Sequence, residues 1–366
     1  MPPRLILFGA FDRHNFGDLL LAHCAEAKHP GRDPVFAGLA ARDLRPWGGH
    51  AVRALAEVVA ACGHEPAELV HVGGEVLTTT AWEAAVMLQT PDEARRVIAR
   101  LGRDSAGHRA WAAQYLGTRR QLPYLLGAAD VPAHWTVRFA GVGGVALDGL
   151  PAALRGEALR ALRGAAVVCV RDRVTAGALE RCGVQVCLVP DPAVETPRLF
   201  GVQIGERAAG AAFATLRKRQ PRWLALQLAA AWGDDATLAR VARAAAAEAR
   251  ARQAGIVLFC AGRAPWHDDP EVLQRMAAHV AGIAPDLSVE ILPSDHVFDL
   301  CALLAHACAY LGTSLHGWIV AASFGVPARC LVDGPGAKAA AYIETWREAA
   351  GGGWLARDDL PPCMDA

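Results

Sequence analysis

The sequence predicts an α/β protein built from two Rossmann-like parallel-sheet domains, and three observations carry that prediction. The chain has 366 residues, longer than the roughly 250–300 over which a single hydrophobic core usually grows. Short branched-apolar runs alternate with longer segments rich in alanine and leucine. That alternation places helices on both faces of a parallel sheet. It pauses at a proline-marked stretch, Pro190 to Pro197, and then begins again. We therefore expect an N-terminal domain over residues 1–195, a C-terminal domain over 196–338, and a helix and tail over 339–366 that pack back on the first domain.

In the first half, Arg4 to Phe8 reads as a strand, followed by a polar loop and a helix from Leu19 to Ala27. Val52 to Cys62 reads as a helix, and Leu69 to Val72 as a strand running into Gly73-Gly74. Helices are expected over Trp82 to Met87 and Pro91 to Leu101, the second opening with Pro91 and Asp92, which suit a first turn. Strand, helix, strand, helix, strand then follow at Thr136 to Ala140, Leu154 to Leu162, Ala166 to Val170, Val174 to Cys182 and Gln185 to Val189. The second half is more regular. Strands are expected at Trp223 to Leu228, Ile256 to Cys260, Val289 to Leu292, Cys308 to Leu311 and Ala328 to Val332. The helices between them are Asp234 to Gln253, Pro270 to Val280, Val297 to His306 and Gly317 to Phe324. Residues Ala339 to Met364 begin helical and end polar.

Composition excludes several classes. Thirty-seven Lys+Arg balance thirty-seven Asp+Glu, which argues against a broad phosphate-backbone footprint and hence against a nucleic-acid partner. The longest apolar runs are too short for a bilayer span, and Phe298 to Leu311 carries Asp299 and His306. The N-terminus lacks a secretory signal pattern, so a cytoplasmic location is expected. Ten cysteines give no disulfide framework, and Cys169, Cys260 and Cys308 read as small core residues. No GxxxxGK[ST], HExxH, CxxC or GxSxG motif occurs, and the thirteen histidines do not cluster at ligand spacing. No metal or cofactor is expected. Oligomeric state is left open, with a homo-oligomer allowed.

Polar residues that follow strands stand out, because that sheet edge is where ligands bind in open α/β folds. In the loop Gly9 to Asp18, Asn15 can hold a turn, Gly17 permits an unusual backbone angle, and Asp18 can cap the next helix. Gly73-Gly74-Glu75 brings backbone close to a neighbour and sets a carboxylate at the sheet mouth. Arg171 in Val170-Arg171-Asp172 can fork a phosphate or carboxylate. Asp191 is stiffened between Pro190 and Pro192. In Gly312-Thr313-Ser314-Leu315-His316-Gly317, the hydroxyls can cap and His316 falls in the first helical turn. Trp47, Trp82, Trp266 and Trp318 suit sugar stacking or core packing equally.

Taken in order, these pieces resemble the polysaccharide pyruvyl transferase family over roughly residues 5 to 345. The likeness rests on N-x-G-D at Asn15, Gly17 and Asp18, the pair Gly73-Gly74, Val170-Arg171-Asp172, Pro190-Asp191-Pro192-Ala193, and Leu315-His316-Gly317. The resemblance implies a fold similar to GT-B glycosyltransferases, two domains facing a cleft with the acceptor on the N-terminal side and the donor on the C-terminal side. It implies transfer of a pyruvyl group from phosphoenolpyruvate, as a ketal, to a sugar of a cell-surface or related glycan, with release of phosphate. Arg171 then matches the donor-binding arginine and His316 the histidine of the R-L-H motif.

Two departures matter. Ser314 stands where the best-known members carry arginine, and Glu75 replaces the third glycine of the usual G-G-G loop. Either Arg13, Arg263 or Lys338 substitutes for the missing charge, or the donor differs. On this scheme His316 serves as general acid or phosphate partner, and Asp18 or Asp191 as base. The remaining substrate contacts fall to Asn15, Gly17, Gly73, Gly74, Glu75, Arg171, Thr313, Ser314 and Leu315. Two rivals stay open: a GT-B glycosyltransferase using a nucleotide sugar, and an inactive relative serving as a binding subunit.

Overall fold

The computed structural model describes residues 2–350 and 352–361. The chain divides into two compact units, Met1–Pro192 and Ala193–Ala366.

The first unit runs β1 (Arg4–Phe8), α1 (Phe16–Ala27), β2 (Val35–Gly38), β3 (Arg42–Asp43), β4 (Ala51–Ala54), α2 (Leu55–Cys62) and β5 (Ala67–Val72). Then come α3 (Ala81–Met87), α4 (Pro91–Leu101), α5 (Ser105–Leu116), β6 (Thr136–Val142), α6 (Ala152–Arg163), β7 (Val167–Val170), α7 (Arg173–Arg181) and β8 (Cys187–Leu188). Its sheet has the order β3-β4-β2-β1-β5-β6-β7-β8, and only the pairing of β3 with β4 is antiparallel. Leu5, Ile6, Leu7 and Phe8 are all buried, as a central parallel strand covered on both faces requires. The chain leaves β1 in one direction across the sheet and reaches β5 on its other side. The switch point, where open α/β sheets bind ligands, therefore lies between the loops that follow β1 and β5.

The second unit opens with α8 (Thr196–Ala209) and α9 (Ala211–Arg219). It continues β9 (Trp223–Gln227), α10 (Asp235–Ala251), β10 (Gly255–Leu258), α11 (Pro270–Ile283), β11 (Val289–Ile291) and α12 (Val297–Ala305). It closes with β12 (Ala309–Gly312), α13 (Leu315–Ser323), β13 (Ala328–Val332), α14 (Lys338–Ala350) and β14 (Gly353–Ala356). The six strands are parallel in the order β11-β10-β9-β12-β13-β14, the doubly wound arrangement with its switch point between β9 and β12. Among the described residues no helix is long and apolar enough to cross a membrane.

The two-unit α/β expectation holds, with corrections. The division between the units falls after Pro192, a few residues before the expected 195. The terminal segment belongs to the second unit: β14 pairs with β13, and Arg240 on α10 bonds the carbonyls of Asp358, Leu360 and Pro361. The strand β14 is half-buried and flanked by glycine, so its sequence carries no apolar alternation. The end of the tail, residues 362–366, lies outside the described residues. Residues 51–54 form β4, taking in the first three positions of the expected Val52 to Cys62 helix: Arg53 and Ala54 pair with Ala37 and Gly38 of β2, and Val52 is buried between two exposed neighbours. Of the three cysteines read as core, Cys260 is buried, whereas Cys169 and Cys308 are partly exposed; Cys169 pairs in register with Cys187 on the edge strand β8.

Candidate functional site

The C-terminal edge of the first sheet gathers the polar residues singled out from sequence. After β1, Asn15 caps α1 by accepting a hydrogen bond from the Asp18 amide at 3.2 Å. Asp18 is thus a first-turn residue and not the cap. Gly17 lies inside α1 with negative φ, so its expected backbone freedom is not used. Arg13 reaches both the Tyr124 hydroxyl at 2.7 Å and the Asp18 carboxylate at 3.6 Å. The sequence reading passed over Asp12. It is buried and accepts from the Tyr124 hydroxyl at 2.9 Å and the Leu39 amide at 2.6 Å. Burial pushes its carboxyl upward, partly offset by Arg13 and these donors.

After β5, Gly73 and Gly74 take φ of 52° and 78°, a region that favours glycine. A Cβ on Gly73 would lie 2.8 Å from Leu21 of α1, and one on Gly74 would lie 3.3 Å from the Asp18 carboxylate. The glycine pair is what lets this loop press against α1.

Glu75 then turns to Arg171 at the end of β7. The Arg171 guanidinium is 2% exposed, 2.8 Å from Glu75 Oε2 and 3.0 Å from Asp191 Oδ2, and Asp191 itself is fully buried. Burial opposes the charge on Arg171, but the two carboxylates outweigh it and hold the guanidinium firmly protonated. The other Glu75 oxygen accepts from the Val145 amide at 2.7 Å. Gly143 makes room for this packing, since a Cβ there would meet Glu75 Oε2 at 2.3 Å and Arg171 Nε at 2.8 Å. Asp172 caps α7 through the Thr175 amide at 2.7 Å. Asp191 is consequently the counter-ion of Arg171, not an accessible proton acceptor. Arg171 is engaged by both carboxylates.

The second unit builds a different edge. Ser314 caps α13 by accepting from the Gly317 amide at 3.1 Å, which leaves His316 half-buried in the first turn. Thr313 accepts from the Ala229 amide at 2.8 Å and donates to Gln227 Oε1 at 3.1 Å, tying β12 to β9 across the switch point. Gln227 also receives the Ser314 amide at 2.8 Å and donates to Asp268 at 2.7 Å. The other oxygen of Asp268 accepts from the Ala261 amide at 2.6 Å. Gln227 and Asp268 went unnoticed in the sequence; the one signal was a glutamine ending an otherwise apolar strand. Just before Asp268, Trp266 is 48% exposed at φ 67°, a backbone region costly for a bulky residue. Leu315 and Trp318 are core residues. Of the three expected stand-in cations, Arg13 is paired as above, Arg263 pairs with Asp295, and Lys338 is exposed at the start of α14.

Burial, reinforced by the nearby charge of Asp295, raises the Asp268 carboxyl from 3.8 to about 7 despite its hydrogen bonds. The folded chain therefore keeps a proton that the unfolded chain has released. The resulting stabilisation is full below about pH 4 and is lost as pH rises through about 7. The melting temperature is expected to decline over that window, and Asp268→Asn is expected to flatten the decline. Parallel pH profiles for the two proteins would remove Asp268 as its source.

A family model described as polysaccharide pyruvyl transferase matches residues 142–334, more than half of the chain. The chain belongs to that family. The match runs from the end of β6 to just past β13, so it takes in Arg171, Asp191 and Thr313 to His316 but not Asn15 to Asp18 or Gly73 to Glu75. No curated protein matches the chain. Among solved structures it is similar to the UDP-GlcNAc 2-epimerase of Methanocaldococcus jannaschii, with a TM-score of 0.58, 11% identity, and 98% of this chain and 89% of that one covered. The UDP-GlcNAc 2-epimerase of Neisseria meningitidis bound to UDP-GlcNAc gives a TM-score of 0.53 at 11% identity, covering 97% and 88%. The S. aureus MnaA–UDP co-structure gives 0.51 at 12% identity, covering 91% and 80%. At such identities the likeness shows the fold, which is GT-B-like: two parallel-sheet units of Rossmann type.

Proposed function

We propose that this family member is a sugar-directed transferase whose donor is a nucleotide sugar in place of phosphoenolpyruvate. The observation that carries this reading is the fate of the two donor arginines that the family resemblance implies. One is absent, with Ser314 capping a helix in its place. The other, Arg171, is occupied by Glu75, the residue that departs from the family's third glycine. Phosphoenolpyruvate carries a phosphate and a carboxylate and needs cations for both.

The edge of the second unit offers a different recognition set. The N-terminus of α13, with its amides and His316, suits a diphosphate whose charge grows as the sugar leaves. Trp266 suits stacking on a base or sugar ring. Asp268 holds a proton near neutral pH and is our candidate for exchanging it with the donor. On the first unit, Asp18 and the neighbouring carboxylates suit the hydroxyls of a neutral acceptor sugar. In the transfer, an acceptor hydroxyl attacks the anomeric carbon, the bond from that carbon to the diphosphate oxygen breaks, and the hydroxyl proton passes to a carboxylate base.

The family match supports the second reading, pyruvyl transfer from phosphoenolpyruvate with Arg171 and His316 on the donor. Calorimetric titration separates the two. UDP is expected to bind the wild-type chain, and Trp266→Ala is expected to weaken it roughly tenfold, the order of one lost base–aromatic stack. Binding of phosphoenolpyruvate, with release of orthophosphate only when an acceptor sugar takes the pyruvyl group, and none of UDP, would favour the second reading instead.

A further inference from the structure

We infer that His23, Glu26 and His50 form a binding site for a divalent transition-metal ion of the zinc class in the first unit, away from the strand-end residues discussed above. No pattern in the sequence announces it. His23 and Glu26 are three apart on α1 and so share one face of the helix. His50 arrives from the far side of the turn Leu44 to Gly49, which Gly48 closes at φ 74°. One ligand atom from each of the three residues lies within 4.8 Å of the other two. This corrects the expectation that the histidines do not gather: the sequence separation of 27 residues is bridged by the fold.

The details suit a metal better than a simple ion pair. His50 Nε2 and Glu26 Oε2 are 3.2 Å apart, close to the ~3.3 Å that separates two ligands on one tetrahedral zinc. His23 Nε2 lies 2.6 Å from the Gly48 carbonyl, so it donates there, and Nδ1 carries the lone pair. A backbone carbonyl holding the second ring nitrogen is how metal-bound imidazoles are commonly oriented. The imidazole of His50 is stacked on Phe36 at 3.7 Å and faces His23 at 4.2 Å, which fixes its plane. Its Nδ1 is buried and has no hydrogen-bond partner among the described residues, while Nε2 donates to the Glu26 carboxylate. A cation then takes the place of the proton between His50 Nε2 and Glu26, and that proton moves to Nδ1, so the ring binds as a neutral imidazole. Two imidazoles and a carboxylate form a nitrogen–oxygen donor set that zinc accepts. All three residues are half-buried, so water can complete the coordination. The ion would staple the Leu44 to His50 segment to α1, the helix whose first turn carries Asp18.

The test uses the full chain, stripped with chelator and titrated with zinc chloride alone. Wild type is expected to take up about one zinc per chain in a four-coordinate site, with a rise in melting temperature, and cobalt substituted for zinc is expected to give tetrahedral absorption bands. His50→Gln is expected to weaken binding by more than about 100-fold, beyond what outer-shell changes produce. Glu26→Gln, at a partly exposed helical position, provides a second variant should His50→Gln fail to fold. Absence of zinc uptake by the wild type would overturn the assignment. So would equal affinity in a folded variant, because the metal would then sit on other histidines.

Discussion

Arg171→Leu is expected to destabilise the first unit by about 3–5 kcal/mol, the cost of leaving buried carboxylates without their counter-charge. For a unit of this size that corresponds to a fall in melting temperature of roughly 6–20 °C. The asymmetry of the cluster makes the prediction specific. Asp191 is fully buried whereas Glu75 is 20% exposed, so Glu75→Gln, which leaves the Arg171–Asp191 pair intact, is expected to cost much less. Replacing the cluster as a whole, with Arg171→Met, Asp191→Leu and Glu75→Gln together, is expected to recover most of the stability, since a buried ion pair is worth little over an apolar one of similar volume. Thermal denaturation of these variants decides the matter. Loss of less than about 1 kcal/mol in Arg171→Leu would mean that the guanidinium does not hold the two loops, and that Arg171 is free to serve a ligand.

The double variant Glu75→Gly and Ser314→Arg is expected to gain affinity for phosphoenolpyruvate. It restores the family's usual residues at both departures: one change removes one of the two carboxylates that Arg171 pairs with, and the other supplies the missing arginine. A charge-assisted hydrogen bond contributes about 1.5–3 kcal/mol, so at least a roughly tenfold gain over wild type is expected by calorimetry. Glu75→Gly alone isolates the loss of the Glu75 pairing, with Asp191 still on Arg171. Ser314→Arg removes the α13 cap at a cost of about 1 kcal/mol, so its melting temperature has to be followed alongside. Wild-type protein that already binds phosphoenolpyruvate as tightly as the double variant would show that the departures do not set donor choice.

Much of the site was legible as position and little of it as partnership. The loops after β1, β5, β7 and β12 announced themselves because polar residues and glycines there interrupt apolar runs, and the sheet topology brings them to the predicted edges. Pairings were another matter. Glu75, Arg171 and Asp191 are scattered along the chain, and nothing local reveals that strand order places their side chains together. The same holds for Gln227 with Asp268, and for His50 with α1. Short elements failed for a related reason. Residues 51–54 and 353–356 become strands through neighbours already in the sheet, not through their own propensity.

The sequence by itself determined that this chain makes two parallel-sheet units, because the alternation of short branched-apolar runs with alanine- and leucine-rich segments is local and recurs along it. It also determined which strand ends carry polar chemistry, and through them the family. Only the tertiary structure decided that Glu75 occupies Arg171, that Asp191 is a buried counter-ion, and that Asp268 holds its proton to about pH 7. Charge state and ligand access depend on burial and on partners many residues away, and those exist only once the strands have taken their order in the sheet.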